Sequence, residues 1–265
     1  MSAADRGEQA PRGFLHGLNP LVTLAAPLPA MVGMVVVRDL ATPALVAVAA
    51  IALILIGARP APRVAAAIVI GIPVAVLVLG FSFSLWADPA ALTASPAIVH
   101  IGDWRYTQAA ALIGLATGLR VGALVSLALI LGTSTTAATL VHAAIQHLRL
   151  PYRVGYTALA AFRFVPRFAV ELELIRSAHR VRGMAEGRGP IAWLRRGLSA
   201  VIPLLAGAIR HAERVALAMD SRGFGASDTR TERTIVPYRR RDTVFVIVVL
   251  ATTIVLFAVG GAIPF

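Results

Sequence analysis

The chain has 265 residues, 58% of them hydrophobic, and 25 basic residues against 13 acidic ones give it a formal charge of +12. Soluble domains average about 45–50% apolar residues; the excess here is gathered into long uncharged runs, which excludes an ordinary water-soluble globule. Cysteine is absent, so disulfides and thiolate metal sites are excluded too.

The first stretch, "MSAADRGEQAPRGFLHGLNP", has acidic residues and no apolar core directly after its charges, so it does not read as a cleaved signal peptide. Crossing a bilayer core as a helix takes roughly 20 apolar residues. Three runs meet this without a single charge: 40–57 with 18 residues, 64–86 with 23 and 243–262 with 20. Residues 21–37 are marginal at 17, and 109–132 are long enough but contain Arg120. An arginine at a bilayer centre costs roughly 2.5–3.5 kcal/mol, so Arg120 is expected to face protein or water. It would bond Ser, Thr or backbone carbonyls, or serve as a contact in the bundle or with a partner.

Residues 133–242 hold 18 of the 25 arginines against eight acids, nearly the whole positive surplus. Basic residues near spans mark the cytoplasmic side. Five spans put Arg6, Arg12, Arg59, Arg63, Arg239, Arg240 and Arg241 on that same side. The other side receives Arg38, Asp39, Asp88, Asp103 and Arg105, with Trp86, Trp104 and Tyr106 as interfacial anchors. The expectation is an all-α integral membrane protein of about five transmembrane helices with a basic cytoplasmic domain of amphipathic helices. Its parts are a cytoplasmic segment 1–20, spans one to four in 21–132, the basic domain 133–242, which the resemblance given below makes a coupling domain, and a last span in 243–265. The N-terminus lies in the cytoplasm. Val154–Pro166 is apolar but short and broken by Arg163, so it reads as interfacial or packed on the bundle; two extra crossings there would keep both ends in place.

Within 133–242, apolar residues recur at helical spacing from Pro166: Phe168, Leu172 and Ile175, then His179 and Arg182. The flanks offer pairs such as Arg167 with Glu171 and Glu173 with Arg176. Gly183 suits the left-handed position after the helix. A second stripe follows Pro203: Leu204, Ala208, His211, Val215 and Met219, then Arg222, with Gly223 as terminator and Gly225 close behind. Between them, Pro190 and Gly197 bound a short piece holding Trp193, Arg195 and Arg196. A cation at a helix C-terminus is favoured by the last carbonyls, which explains one such end. Two of them in one segment, Val181-Arg182-Gly183 and Ser221-Arg222-Gly223, point to a paired site.

Other chemistries find less support. His142 and His147 face differently on a helix, and His179 and His211 stand alone, so no metal site is assigned. No GxxxxGK[ST] loop is present, so the chain is not itself an ATPase. Ser227 and Asp228 have no histidine nearby, and no catalytic or cofactor-binding residue is assigned. The isoelectric point of about 11.6 suits nucleic acid, but membrane topology accounts for the charge, and no nucleic-acid partner is expected.

The chain resembles the transmembrane T component of energy-coupling factor transporters, the ATP-driven importers of vitamins and of nickel or cobalt. The likeness rests on the two Arg-Gly signatures, the second within "AMDSRGFG", and on "LHGLNPLVTL", "GLRVGALVSLALILGTSTT" and "LPYRVGYTALAAFRFVPRFAVELELI". It runs from about residue 15 to the end. It implies that Val181, Arg182, Gly183, Ser221, Arg222 and Gly223 dock into two ABC-type ATPase subunits. It also implies that Phe168, Leu172, Ile175, Leu204, Val215 and Met219 face a small membrane protein that captures the substrate. The location implied is the bacterial cytoplasmic membrane, and the chain itself would do no bond chemistry. Two rival readings stand beside it. A membrane enzyme acting on lipid or isoprenoid phosphates would show clustered acids, whereas only Glu171 and Glu173 are close. The permease of an ordinary ABC importer usually presents one coupling helix per chain rather than two.

Overall fold

The computed structural model describes residues 13–37, 39–86, 97–101, 104–183, 189–227, 231–232 and 234–262. Arg6, Arg12, Arg38, Asp88, Asp103 and Asp228 lie outside the described residues. Two compact units are built, one from 1–140 with 236–265 and one from 141–235.

The first unit opens with a 3-10 turn, Phe14–Gly17, then α1, Pro20–Ala25, and α2, Leu28–Val36. These two replace the single span expected over 21–37. Pro27 has no N–H to continue the helical ladder, and α2 starts afresh at Leu28. Next come α3, Ala41–Gly57, and α4, Pro62–Ser84. A short antiparallel hairpin, β1 Ala97–Ile101 with β2 Trp104–Thr107, interrupts an architecture that is otherwise all-α, as expected. It leads into α5, Gln108–Ser134. Among the described residues α4, α5 and the final helix are long and apolar enough to cross a membrane, and α3 is a shorter apolar helix. At 17 residues α3 reaches about 25 Å, close to the roughly 30 Å hydrocarbon core.

α4 and α5 meet backbone to backbone. A Cβ on Gly114 would stand 2.2 Å from the Gly80 carbonyl oxygen, and one on Gly118 would stand 2.5 Å from that of Val76. Gly114, Gly118 and Gly122 recur every fourth residue and so form one smooth face of α5. In a lipid solvent, where hydrophobicity does not draw helices together, such close packing is what holds them. Leu15, Met34, Ile54 and Ile130 are fully buried in the core beside this pair.

Arg120, in the middle of α5, finds a backbone carbonyl, one of the partners expected of it. One of its terminal nitrogens donates to the carbonyl oxygen of Val37, just past α2. From Arg120 to Ser134 is about 21 Å of α5, and α3 is only slightly longer. The guanidinium therefore sits level with the end of the short helices, where the α2–α3 connection supplies a carbonyl. Asp39 lies in that connection and accepts the N–H of Thr42 at 2.7 Å. Burial pushes its carboxyl up, but hydrogen bonding to Thr42 and the charge of Arg120 outweigh this and hold it below the usual value.

The unit closes with α9, Arg240–Gly261. Asp242, in its first turn, is 1% exposed. Its carboxylate accepts the N–H of Arg239 at 2.6 Å and the N–H of Asn19 at 2.8 Å. The Asn19 side chain in turn accepts the N–H of Leu21 at 3.0 Å, capping α1. One buried carboxylate thus joins the starts of the first and last helices, 223 residues apart.

α6, Ala137–His147, leads into the second unit, which holds α7, Tyr152–Val181, and α8, Pro190–Asp220. Both long helices run through prolines at which the sequence suggests a start. α7 includes Pro166, and the stretch expected to lie apart, 154–166, is its first half. α8 includes Pro203 and absorbs the separate short piece expected from Pro190 to Gly197. Proline frees the carbonyl of the residue four before it. In α7 that residue is Phe162, which is exposed like Pro166 itself, so the break lies on an open face.

Candidate functional site

The second unit is organised around a crossing of α7 and α8. Phe164 stacks on His211 with ring centroids 4.3 Å apart and planes 13° from parallel. Phe168 packs edge-on against Phe164 at 4.3 Å. Glu171 covers Gly207, where an added Cβ would stand 3.1 Å from its carboxylate oxygen. The two contacts run in opposite order along the helices, so the C-termini of α7 and α8 lie on opposite sides of the crossing. Glu171 to Arg182 and His211 to Arg222 are each 11 residues, or about 17 Å of helix. The crossing therefore has two arms of equal length, each carrying one of the arginines singled out from the sequence.

Both arms end in the same way. At the end of α8, Gly223 has φ +68° and donates to the Asp220 carbonyl at 2.9 Å. Phe224 donates to that of Met219 at 3.0 Å. This is the paired closure of a Schellman motif, with Arg222 in the capping position and glycine in the left-handed one. At the end of α7, Gly183 has φ +70° and donates to the Arg180 carbonyl at 3.1 Å, the same inner bond. Arg182 thus occupies the position Arg222 holds in the other arm. Arg180 is turned aside and donates to the Ser177 hydroxyl at 2.7 Å. The guanidinium groups of Arg182 and Arg222 are exposed, with no hydrogen-bond or ion-pair partner among the described residues. Val181 and Ser221 are exposed beside them.

The six residues expected to face a partner, Phe168, Leu172, Ile175, Leu204, Val215 and Met219, are all half-buried. Their stripes carry Phe168 and His211, each of which packs on Phe164 at the crossing. Other apolar side chains are more exposed, among them Phe162, Val165 and Leu174 on α7 and Ile202, Leu205 and Ile209 on α8. Period alone marks an apolar face. It does not separate the side turned to the sister helix from the side left open.

Sequence reasoning also passes over what lies beside the tip of the second arm. The chain after α8 folds back onto the start of α7. The Tyr152 hydroxyl donates to the Ser227 carbonyl at 2.6 Å and Arg153 donates to that of Gly225 at 2.7 Å. The Tyr156 hydroxyl donates to Glu232 at 2.8 Å, and Phe224 packs edge-on against both tyrosines. His142 lies edge-on to Tyr156 and 3.9 Å from Glu232, a structural place for one of the histidines weighed as ligands. Tyr152, Tyr156, Arg163, Met219, Arg222 and Phe224 line a pocket of about 460 Å³ there. No local pattern announces this cluster, because its halves lie some 70 residues apart.

A family model described as CbiQ, cobalt transport protein, matches residues 11–232, which take in both arms. The chain belongs to this family. The match ends before α9 begins at Arg240. Similar curated proteins carry the name energy-coupling factor transporter transmembrane protein EcfT. That of Streptococcus thermophilus is 28% identical over 166 residues, covering 59% of this chain and 62% of the relative. That of Staphylococcus aureus is 30% identical over 152 residues, with 54% and 57% covered. That of Lactococcus lactis is 28% identical over 114 residues, with 42% and 43% covered. The chain spans about half the length of these relatives.

Proposed function

We propose that the chain is the transmembrane coupling subunit of an energy-coupling factor importer in a bacterial cytoplasmic membrane. Arg182 and Arg222 seat in two ABC-type ATPase subunits, one to each arm. The observation that carries this reading is the likeness of the two tips: an arginine before a left-handed glycine, closed by the same inner bond, at the ends of equal arms on either side of one crossing. A single arginine at a helix end needs no explanation beyond the helix carbonyls. A matched, unpaired pair fits a motor with two like halves.

Guanidinium suits the task because it stays charged on burial and presents a planar fork to carboxylates or carbonyls. In a partner's groove such a residue is a hot spot costing about 2 kcal/mol or more on truncation. Two of them on one rigid unit make docking to a paired ATPase bivalent. When nucleotide draws the ATPase halves together, each moves one tip, and the crossing at Phe164, His211, Glu171 and Gly207 takes up the change of angle. The exposed apolar rows around Leu174 and Leu205, with the half-buried stripes beneath them, form the surface for a small membrane subunit that captures the vitamin or transition metal. Nothing in this role breaks or makes a covalent bond. The N-terminus and the segment 133–242 lie in the cytoplasm.

The test uses Arg182→Ala, Arg222→Ala and the double variant. Each loses ATPase on co-purification and loses uptake, while insertion into the membrane is unchanged. A double variant that keeps both partners and full uptake contradicts the proposal.

A further inference from the structure

The first unit holds a cavity of about 650 Å³ whose walls the coupling role does not use. α3 contributes Val46, Ala49 and Leu53; α5 contributes Ile130; α9 contributes Val248 and Leu256. The lining is apolar but for Thr252, Thr253 and, at one end, Arg240 and Arg241. Thr253 does not interrupt it, because its hydroxyl bonds back to the Val249 carbonyl at 2.8 Å. Phe245 is buried at the floor while Val244 and Val248 stay exposed, so the trough opens sideways from the bundle.

The two arginines have no hydrogen-bond or ion-pair partner among the described residues. The acid next to them in sequence, Asp242, is taken up by the N–H groups of Asn19 and Arg239. They also sit at the start of α9, against the positive end of its dipole, where cations are locally unfavourable. Topology accounts for arginine on this side of the membrane, but not for an apolar trough leading away from it. Along α9, Arg241 to Thr252 is about 16 Å, close to half of the roughly 30 Å hydrocarbon core. One acyl chain, reaching about half-way through the hydrocarbon core, matches that length.

We propose that this cavity is a site for an anionic phospholipid of the adjoining leaflet, its phosphate between Arg240 and Arg241 and one acyl chain along α9 against Ala49, Leu53 and Ile130. The site is independent of the arginine tips and lies partly on α9, outside the stretch matched by the family.

Native mass spectrometry of the purified full chain tests it, with phosphatidylglycerol, phosphatidylcholine and glycerol phosphate as probes. One phosphatidylglycerol is retained, and phosphatidylcholine and glycerol phosphate are not. Arg240→Gln with Arg241→Gln lowers its occupancy by about tenfold or more. Ala49→Phe, which fills the trough and leaves the arginines in place, lowers it as well. Equal retention of the two lipids, or unchanged retention in both variants, overturns the proposal. Loss in the arginine variant with full retention in Ala49→Phe overturns the acyl site and leaves surface attraction only. A photo-crosslinker at Val248 that captures a polypeptide rather than lipid from the assembled membrane complex assigns the trough to a partner helix, and the proposal fails.

Discussion

Substituting Gly118 by alanine separates close packing from helix propensity on a single helix. Its new Cβ would stand 2.5 Å from the Val76 carbonyl oxygen, about 0.9 Å inside ordinary contact. The obstacle is backbone, which cannot swing aside, so α4 and α5 must part along their whole contact. Overpacking of this kind costs about 1–3 kcal/mol, against which alanine returns at most about 1 kcal/mol of helix propensity. Gly132 lies on the same helix with nothing within 4 Å of an added Cβ, so Gly132→Ala keeps the propensity gain and has no clash. Thermal unfolding of the detergent-solubilised protein reads the contrast. Gly132→Ala is neutral or stabilising, and Gly118→Ala melts several degrees lower, at about 2–4 °C per kcal/mol for a chain of this size. Equal shifts in the same direction would refute the reasoning that backbone contact, rather than side-chain burial, joins these helices.

Further outcomes follow from particular contacts. Asp242→Ala leaves the buried N–H of Asn19 and the partly buried one of Arg239 without their acceptor; at about 1–3 kcal/mol for the buried group, it lowers the melting temperature more than any exposed substitution on α9. Gly223→Ala forces a side chain into φ +68° and costs about 1–2 kcal/mol, read as a loss of helical signal at the end of α8 and weaker ATPase binding. The carboxyl of Asp39 is held below its usual value, so its contribution is complete above about pH 3.9 and is lost as pH falls through the lower folded value. Asp39→Asn removes that acid-limb dependence from a series of melting curves, leaving the curve above pH 5 parallel to the parent's.

Charge-free runs locate α3, α4 and α9, and a run broken only by Arg120 locates α5, to within about three residues, because the bilayer dictates both length and composition of a span. Proline misleads in both directions. Pro27 divides what hydropathy reads as one span, whereas Pro166 and Pro203 are carried inside long helices whose other contacts outweigh one missing bond. Gly114, Gly118 and Gly122 stand at legible fourth-residue spacing, yet glycine adds almost nothing to a hydropathy profile, so the tightest helix pair is the least visible one. At the arms, Arg-Gly endings are local chemistry and can be read from eleven letters. The crossing beneath them cannot, since it joins Phe164 to His211 and Glu171 to Gly207 across some forty residues. The cluster of Tyr152, Tyr156 and Phe224 is hidden for the same reason.

The chain has no cysteine, so Ala178→Cys and Ala218→Cys, both exposed and one turn short of the two tips, can carry a pair of spin labels without background. A rotation of about 15° at the crossing, the scale of known subunit rearrangements, swings a 17 Å arm by about 4 Å. In the complete transporter, the label separation is predicted to change by several ångströms between nucleotide-free and ATP-bound states, and to stop changing once Arg182 and Arg222 are alanine. An unaltered separation in a transporter that still hydrolyses ATP and imports substrate would contradict the account of these helices as its moving parts.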